Sequence, residues 1–201
     1  MGIVEEAVAA VRAGKLVVLP TDTVYGLCST PYRYEPAERV YQLKQRPPEL
    51  PSALMASDLE MLFECVPELR GRAGTIARTL LPGPYTLVLP NPARRYRWLT
   101  GSRQDAIGVR VPELAGDARK ILDGVGAVLA TSANLRGGPD PRTLADVPQQ
   151  IRAGSAVCVD GGELPGTPST VLDFTGHEPR VVREGAVPSA EALARVGAPV
   201  A

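Results

Sequence analysis

The chain has 201 residues, 22 basic against 22 acidic, with hydrophobic residues at 44%, a balance that describes a globular domain long enough to bury a sizeable core. It excludes a disordered chain and a membrane-spanning design, which need a charged, apolar-poor composition or apolar runs of about 20 residues. A net charge of zero excludes a diffuse basic field, so any nucleic-acid contact has to come from a local patch.

Cys28, Cys65 and Cys158 are the three cysteines; an odd number without CxxC spacing argues against a disulfide framework or a zinc site. His177 is the one histidine, and its turn-like setting, Thr175 to Pro179, removes most His-dependent triads and metal clusters. No charged segment leads into an apolar stretch and a cleavage site, so the expectation is a cytoplasmic protein without membrane association.

In chain order, Ile3, Val4, Ala7, Val8 and Val11 follow helical spacing, and Gly14 stands where a left-handed cap would end the helix. Residues 15–19 read as a buried strand, and Thr21 to Leu27 as the loop at its end. Pro36 starts a second helix that runs into Lys44-Gln45-Arg46 and halts at Pro47-Pro48. Residues 52–56 form a strand, Ser57 and Glu60 a capping box, and Pro67 opens the next helix, through Leu80. Pro82-Gly83-Pro84 turns into a strand over 85–89, and 107–111 is a further strand. A helix around Leu114 to Leu122 precedes the strand 127–130, which runs into Thr131-Ser132-Ala133-Asn134. The last third holds a helix capped near Thr143, a strand over 156–160, a hairpin of 169–174 with 180–183 turning at Gly176, and a short helix from Ser189. Alternating helices and strands imply an α/β fold: an open, twisted, mixed β-sheet in three layers, with helices on both faces.

There is no P-loop, and Gly124-Val125-Gly126 lies between helix and strand, the reverse of the dinucleotide order. Lys44 and Arg46, two cations at a helix end, read either as surface charges favouring a helix C-terminus or as a polyphosphate clamp. Arg110 alternates against Ile107, Val109 and Val111, so it leaves the core face beside Gly108, either to solvent or to capture a carboxylate. Thr131 to Asn134 offers hydroxyls and an amide at a strand end, for a ligand or for a turn.

The strings Pro20 to Leu27 (PTDTVYGL), Lys44 to Pro47 (KQRP), Pro82 to Pro84 (PGP), Ser132 to Leu135 (SANL), Asp160 to Gly162 (DGG), Pro168 to Val171 (PSTV) and Arg183 to Gly185 (REG) occur in this order. Together they resemble the YrdC-like family of threonylcarbamoyl-AMP synthases over essentially the whole chain. Arg97-Trp98-Leu99-Thr100-Gly101 and the KQRP form are similar to the short bacterial members, so residues 1–201 are expected to be a single YrdC-like domain without a further C-terminal one.

The resemblance implies that L-threonine and bicarbonate form a carbamate that attacks ATP, giving threonylcarbamoyl-AMP and diphosphate. A separate tRNA threonylcarbamoyl transferase complex would then modify tRNA. It implies Lys44 and Arg46 as catalytic cations, and Lys44, Arg46, Ser132, Asn134 and Arg183 as ATP contacts. Thr23, Arg110 and Ser169 match threonine contacts. Mg²⁺ would bind through the ATP phosphates without a protein cage. Leu50 and Met55 replace an asparagine and a histidine of many members, and Ala106 a threonine, which makes the amino-acid pocket a variant one. The alternative is a paralogue acting mainly as an RNA-binding or ribosome-maturation factor. For it stands the stretch Arg94, Arg95, Arg97 and Arg103 with Tyr96 and Trp98, a patch for double-stranded RNA or tRNA; against it, the same stretch reads as a solvated loop with one anchored tryptophan.

Overall fold

Alternation along the strands sorts the apolar side chains into two cores on opposite faces of one sheet, because successive residues of a strand point to opposite sides. The computed structural model describes residues 2–197. They form seven α-helices and nine strands: α1 (Ile3–Arg12), β1 (Val17–Leu19), β2 (Gly26–Ser29), α2 (Tyr34–Lys44), β3 (Ala53–Ala56), α3 (Leu59–Cys65), α4 (Gly71–Leu80), β4 (Tyr85–Pro90), β5 (Ala106–Arg110), α5 (Gly116–Val125), β6 (Ala127–Ser132), α6 (Gln149–Ala153), β7 (Val157–Cys158), β8 (Thr170–Asp173), β9 (Arg180–Arg183) and α7 (Ser189–Arg195).

The sheet runs β7-β1-β2-β6-β3-β5-β4-β8-β9. It is mixed: β1/β7, β3/β5 and β4/β8 pair in parallel, the rest antiparallel. Leu27, Leu54, Leu87, Ile107, Val109, Leu129 and Leu172 face α2, α3, α4 and α7. Val17, Leu19, Cys28, Met55 and Val128 face α1 and α5. This is the three-layer mixed α/β sheet expected from the sequence. The α1/α5 layer covers only part of its face. Where it stops, the outward residues are Gly26, Ala53, Gly108 and Ala130, too small to fill the space themselves, and they floor a cavity.

Several local expectations are corrected. The segment after β1 is not all loop, because Gly26 and Leu27 already pair with Leu19 and Val18 as the start of β2. Asp58, not Ser57, caps α3, its carboxylate accepting from Met61 N–H at 2.8 Å while Ser57 donates to Asp58. Pro67 stands in a turn, and α4 begins only at Gly71. The cap at Thr143 is real, but it closes a 3-10 turn over Leu144–Asp146, and the α-helix starts at Gln149. Only Val157 and Cys158 of the 156–160 strand pair with β1. The Gly14 stop and the β8–β9 hairpin are as expected: Gly14 has φ 76°, and Val171 opposes Arg183 across a bulge.

Candidate active site

All eight residues singled out in the sequence line one cavity of about 490 Å³: Thr23, Lys44, Arg46, Arg110, Ser132, Asn134, Ser169 and Arg183. They come from the β1–β2 loop, the end of α2, the end of β5, the end of β6 and the β8–β9 arm. Five separate stretches of chain meet there because β1, β2, β6, β3, β5, β4, β8 and β9 follow one another in a single sheet, with the end of α2 beside β6.

Lys44 closes α2. Gln45 takes the left-handed conformation (φ 53°) and Arg46 N–H returns to Tyr41 C=O at 2.9 Å, so the helix ends abruptly and its last side chain turns inward. Lys44 is only 3% exposed. Its Nζ donates to the carbonyls of Ser132 and Asn134, the latter at 2.6 Å, and to Asn134 Oδ1 at 2.9 Å. Burial, together with the neighbouring Arg46 guanidinium, pushes its pKa down to about 7, against an opposing pull from Asp140. Arg46 spans the rim, donating from Nη1 to Thr131 Oγ1 (2.9 Å) and from Nη2 to Pro51 C=O (2.6 Å). The surface-cation reading of this pair therefore fails for Lys44, which is interior.

Ser132 Oγ donates to Asn134 Oδ1 at 2.7 Å. Asn134 Nδ2 in turn donates to Gly138 C=O (2.8 Å) and Asp140 Oδ1 (3.3 Å). The β6 end is thus a polar cup, and the ammonium of Lys44 is its plug.

Arg110 does leave the core face beside Gly108, and it reaches the cavity wall. Its Nη2 donates to Asp22 Oδ1 at 2.7 Å and to Thr23 Oγ1 at 3.2 Å, and its buried Nε has no partner. Both Nη2 hydrogens are committed, so a ligand meets Nη1 and the neighbouring hydroxyls, not a free two-armed fork. Burial raises the Asp22 carboxyl pKa, and Arg110 pulls it back. Arg183 reaches over from β9 to Ser169, with Nη2 2.8 Å from its carbonyl and 3.2 Å from Oγ. Burial lowers its pKa, as does Arg110, while Asp140 opposes. Ser169 Oγ also lies 2.8 Å from Thr86 Oγ1.

Sequence reasoning missed Asp22, Ser52, Thr86, Asp140 and Asp173, and placed Arg103 in the basic stretch rather than in the site. Asp22 lay inside a quoted string, and Thr86 alternates against Leu87, so both carried a signal. Arg103 and Asp173 carried none: they sit far apart in the chain and meet at 2.7 Å only through the β5/β4/β8 order. The stretch 94–103 is divided. Arg103 turns into the cavity, Arg95 pairs with Glu68 at 2.8 Å, and Trp98 Nε1 is anchored on Pro31 C=O at 2.8 Å. Leu50 and Ala106 line the cavity, whereas Met55 is fully buried in the α1/α5 core.

The sequence model of the Sua5/YciO/YrdC family, described as "Telomere recombination", matches residues 9–185. A protein of Pyrococcus abyssi named threonylcarbamoyl-AMP synthase is 33% identical over 186 residues, which cover 92% of this chain and 54% of that protein. One of the same name from Pseudomonas syringae pv. syringae is 33% identical over 187 residues, covering 90% of this chain and 97% of that one. The crystal structure of P. abyssi Sua5 complexed with L-threonine superposes with a TM-score of 0.88 at 32% identity, over 97% of this chain and 57% of that one. The chain thus spans about half the length of its archaeal relative and nearly all of the Pseudomonas one.

Proposed function

The chain belongs to the Sua5/YciO/YrdC family, and from that premise we propose that it is an L-threonylcarbamoyladenylate synthase, a nucleotidyltransferase acting on ATP, L-threonine and bicarbonate. The observation that carries this reading is the convergence of all eight candidate site residues on one cavity. The relatives' shared name, and the L-threonine held by the Pyrococcus protein, support it.

In this reading the threonine amine attacks the bicarbonate carbon and water leaves, forming an N-carboxylate. A carbamate oxygen then attacks the α-phosphorus of ATP, and the bond to the bridging oxygen breaks, releasing diphosphate. Lys44, whose three Nζ hydrogens are held by Ser132 and Asn134, stabilises the charge that develops on the departing phosphates through its own charge, and Arg46 through the guanidinium hydrogens that Thr131 and Pro51 leave free. Ser132, Asn134 and Arg183 hold the rest of the nucleotide. Arg110 Nη1, with the Thr23 and Ser169 hydroxyls, holds the amino acid so that its nitrogen stays free to react.

Mg²⁺ would arrive on the ATP phosphates and offset their charge. Among the described residues no group of three or more metal-ligating side chains occurs. Of the two carboxylates lining the cavity, Asp173 is tied to Arg103 and Arg180, so Asp140 is the one suited to the ion or its waters. The product would pass to a tRNA threonylcarbamoyl transferase complex, in the cytoplasm. No helix among the described residues is long and apolar enough to cross a membrane. One sheet joins elements from residue 17 to residue 183, which supports reading 1–201 as one domain.

The test is diphosphate release with each substrate omitted in turn, alongside mass detection of the carbamoyl adenylate. Release should require ATP, bicarbonate and an amino acid together, with threonine preferred. Robust threonine-independent release without an adenylate product overturns the reading.

A further inference from the structure

Seven Lys or Arg side chains line one cavity, Lys44, Arg46, Arg110 and Arg183 among them, and in the proposed reaction two anionic ligands of unequal charge have to be told apart there. Coulomb attraction alone sends a triphosphate to every one of them in preference to a monovalent carboxylate. The four are not held alike. Lys44, Arg46 and Arg183 donate to carbonyls, hydroxyls and an amide oxygen, all neutral. Of these four, Arg110 alone is answered by a carboxylate at contact distance, Asp22, at 2.7 Å, with side-chain exposures of 11% and 7%; Arg103 and Arg180, elsewhere on the wall, share Asp173.

Asp22 does not line the cavity. It stands behind Arg110, on the β1–β2 loop, with its second oxygen accepting from the Glu113 N–H at 3.4 Å. Thr23, the next residue, takes the other Nη2 hydrogen at 3.2 Å. Those two contacts pin the guanidinium from its rear, and since the unpartnered Nε is buried, Nη1 is left to meet a ligand.

We propose that Asp22 is a positioning and specificity-determining residue of the amino-acid half of the site: it holds Arg110 in one orientation and cancels most of its charge, so that a carboxylate, and not a polyphosphate, settles there. The proposal rests on the reading that Arg110 meets the amino-acid carboxylate. A neutralised arginine still offers hydrogen bonds, which a carboxylate completes with the Thr23 and Ser169 hydroxyls. It no longer offers the excess field that favours a highly charged anion. Asp22 thus separates two ligands by removing an attraction.

Diphosphate-release kinetics with inorganic tripolyphosphate as probe read both effects. In the parent, tripolyphosphate should compete with ATP and not with threonine. The isosteric Asp22→Asn should raise KM for threonine about tenfold or more, keep kcat at saturating threonine within about threefold, and make tripolyphosphate competitive with threonine as well. Asp22→Glu keeps the charge but displaces it, so it should raise the threonine KM without admitting tripolyphosphate. An unchanged threonine KM in Asp22→Asn, or tripolyphosphate that stays indifferent to threonine there, overturns the proposal. Should Asp22→Asn not fold, an unchanged threonine KM in Asp22→Glu overturns it equally. Arg110→Ala guards the underlying reading: if threonine affinity survives that change, the carboxylate lies elsewhere and the Arg110 assignment fails. Loss in Arg110→Ala with no change in Asp22→Asn defeats the Asp22 proposal alone.

Discussion

A lysine 3% exposed and surrounded by oxygens without a carboxylate in contact is a costly place to keep a charge, and that cost sets its chemistry. With its pKa pushed down to about 7, Lys44 gives up its proton far more readily than an exposed lysine, and an anion arriving in the cavity restores the ammonium. ATP binding above pH 7 should therefore take up a proton, and affinity should fall as pH rises, by up to about tenfold per unit. Calorimetry in buffers of different ionisation enthalpy measures the uptake directly, and Lys44→Arg, whose charge does not titrate, should flatten the profile. The same shift acts on folding. The unfolded lysine titrates at its ordinary 10.5, so between about 7 and 10.5 the unfolded chain binds more protons, and the stability contributed by this group rises with pH across that window. Lys44 and Arg46 were recognisable from their place before Pro47-Pro48. The burial that separates them was not, because it depends on where β6 lies.

At the scale of elements, the cavity exists because small residues meet in register. Ala53 pairs with both Gly108 and Ala130, and Gly108 with Val88, so four adjacent strands contribute one row of the floor, and two of its small side chains and a glycine leave room above it. The nearest atoms to a Cβ at Gly108 would be Thr86 Cγ2 at 3.6 Å, Ser52 C=O at 3.9 Å and Ala53 Cα at 4.0 Å, all ordinary contacts. Gly108→Val should therefore fold, with a melting temperature within a few degrees of the parent, while its methyls fill the floor and weaken substrate binding roughly tenfold or more. A parent-like KM for both substrates would show that the floor is not part of the site. The alternation of Ile107, Val109 and Val111 around Arg110 was plain in the sequence, as was the β8–β9 hairpin, since both depend on local pattern and turn residues. The start of the four-residue β2 (Gly26–Ser29) was hidden at the end of a string that also carries Thr21, Asp22 and Thr23, whose polar side chains read as loop. Asp58 took the cap from Ser57 because an Asx side chain one residue nearer the helix accepts the Met61 N–H with a charge, where a Ser57 cap would have reached only the Glu60 N–H.

At the scale of the molecule, zero net charge conceals an uneven distribution. The cavity is lined by seven Lys or Arg side chains against Asp140 and Asp173, and low-dielectric walls focus that field on whatever enters. Binding of ATP should weaken several-fold between about 50 and 500 mM salt, as screening shortens the reach of the field, while threonine affinity changes much less. Titrations of each ligand at both salt concentrations check this, and equal weakening of the two would place the amino acid in the same open field as the phosphates.

What the sequence by itself determined was the kind of fold and which residues to propose for the site: strand and helix periodicity needs only neighbours, and the motif strings carry their own residues. Only the tertiary structure decided how those groups act. Whether Lys44 is a surface charge or an interior one, whether Arg103 belongs with Arg97 or with Asp173, and whether Arg110 presents a free fork or one arm held by Asp22 all depend on strand order across the sheet. Charge and burial are properties of the assembled environment, and residues 88 positions apart, such as Asp22 and Arg110, enter one another's field only once β1, β2 and β5 have taken their places.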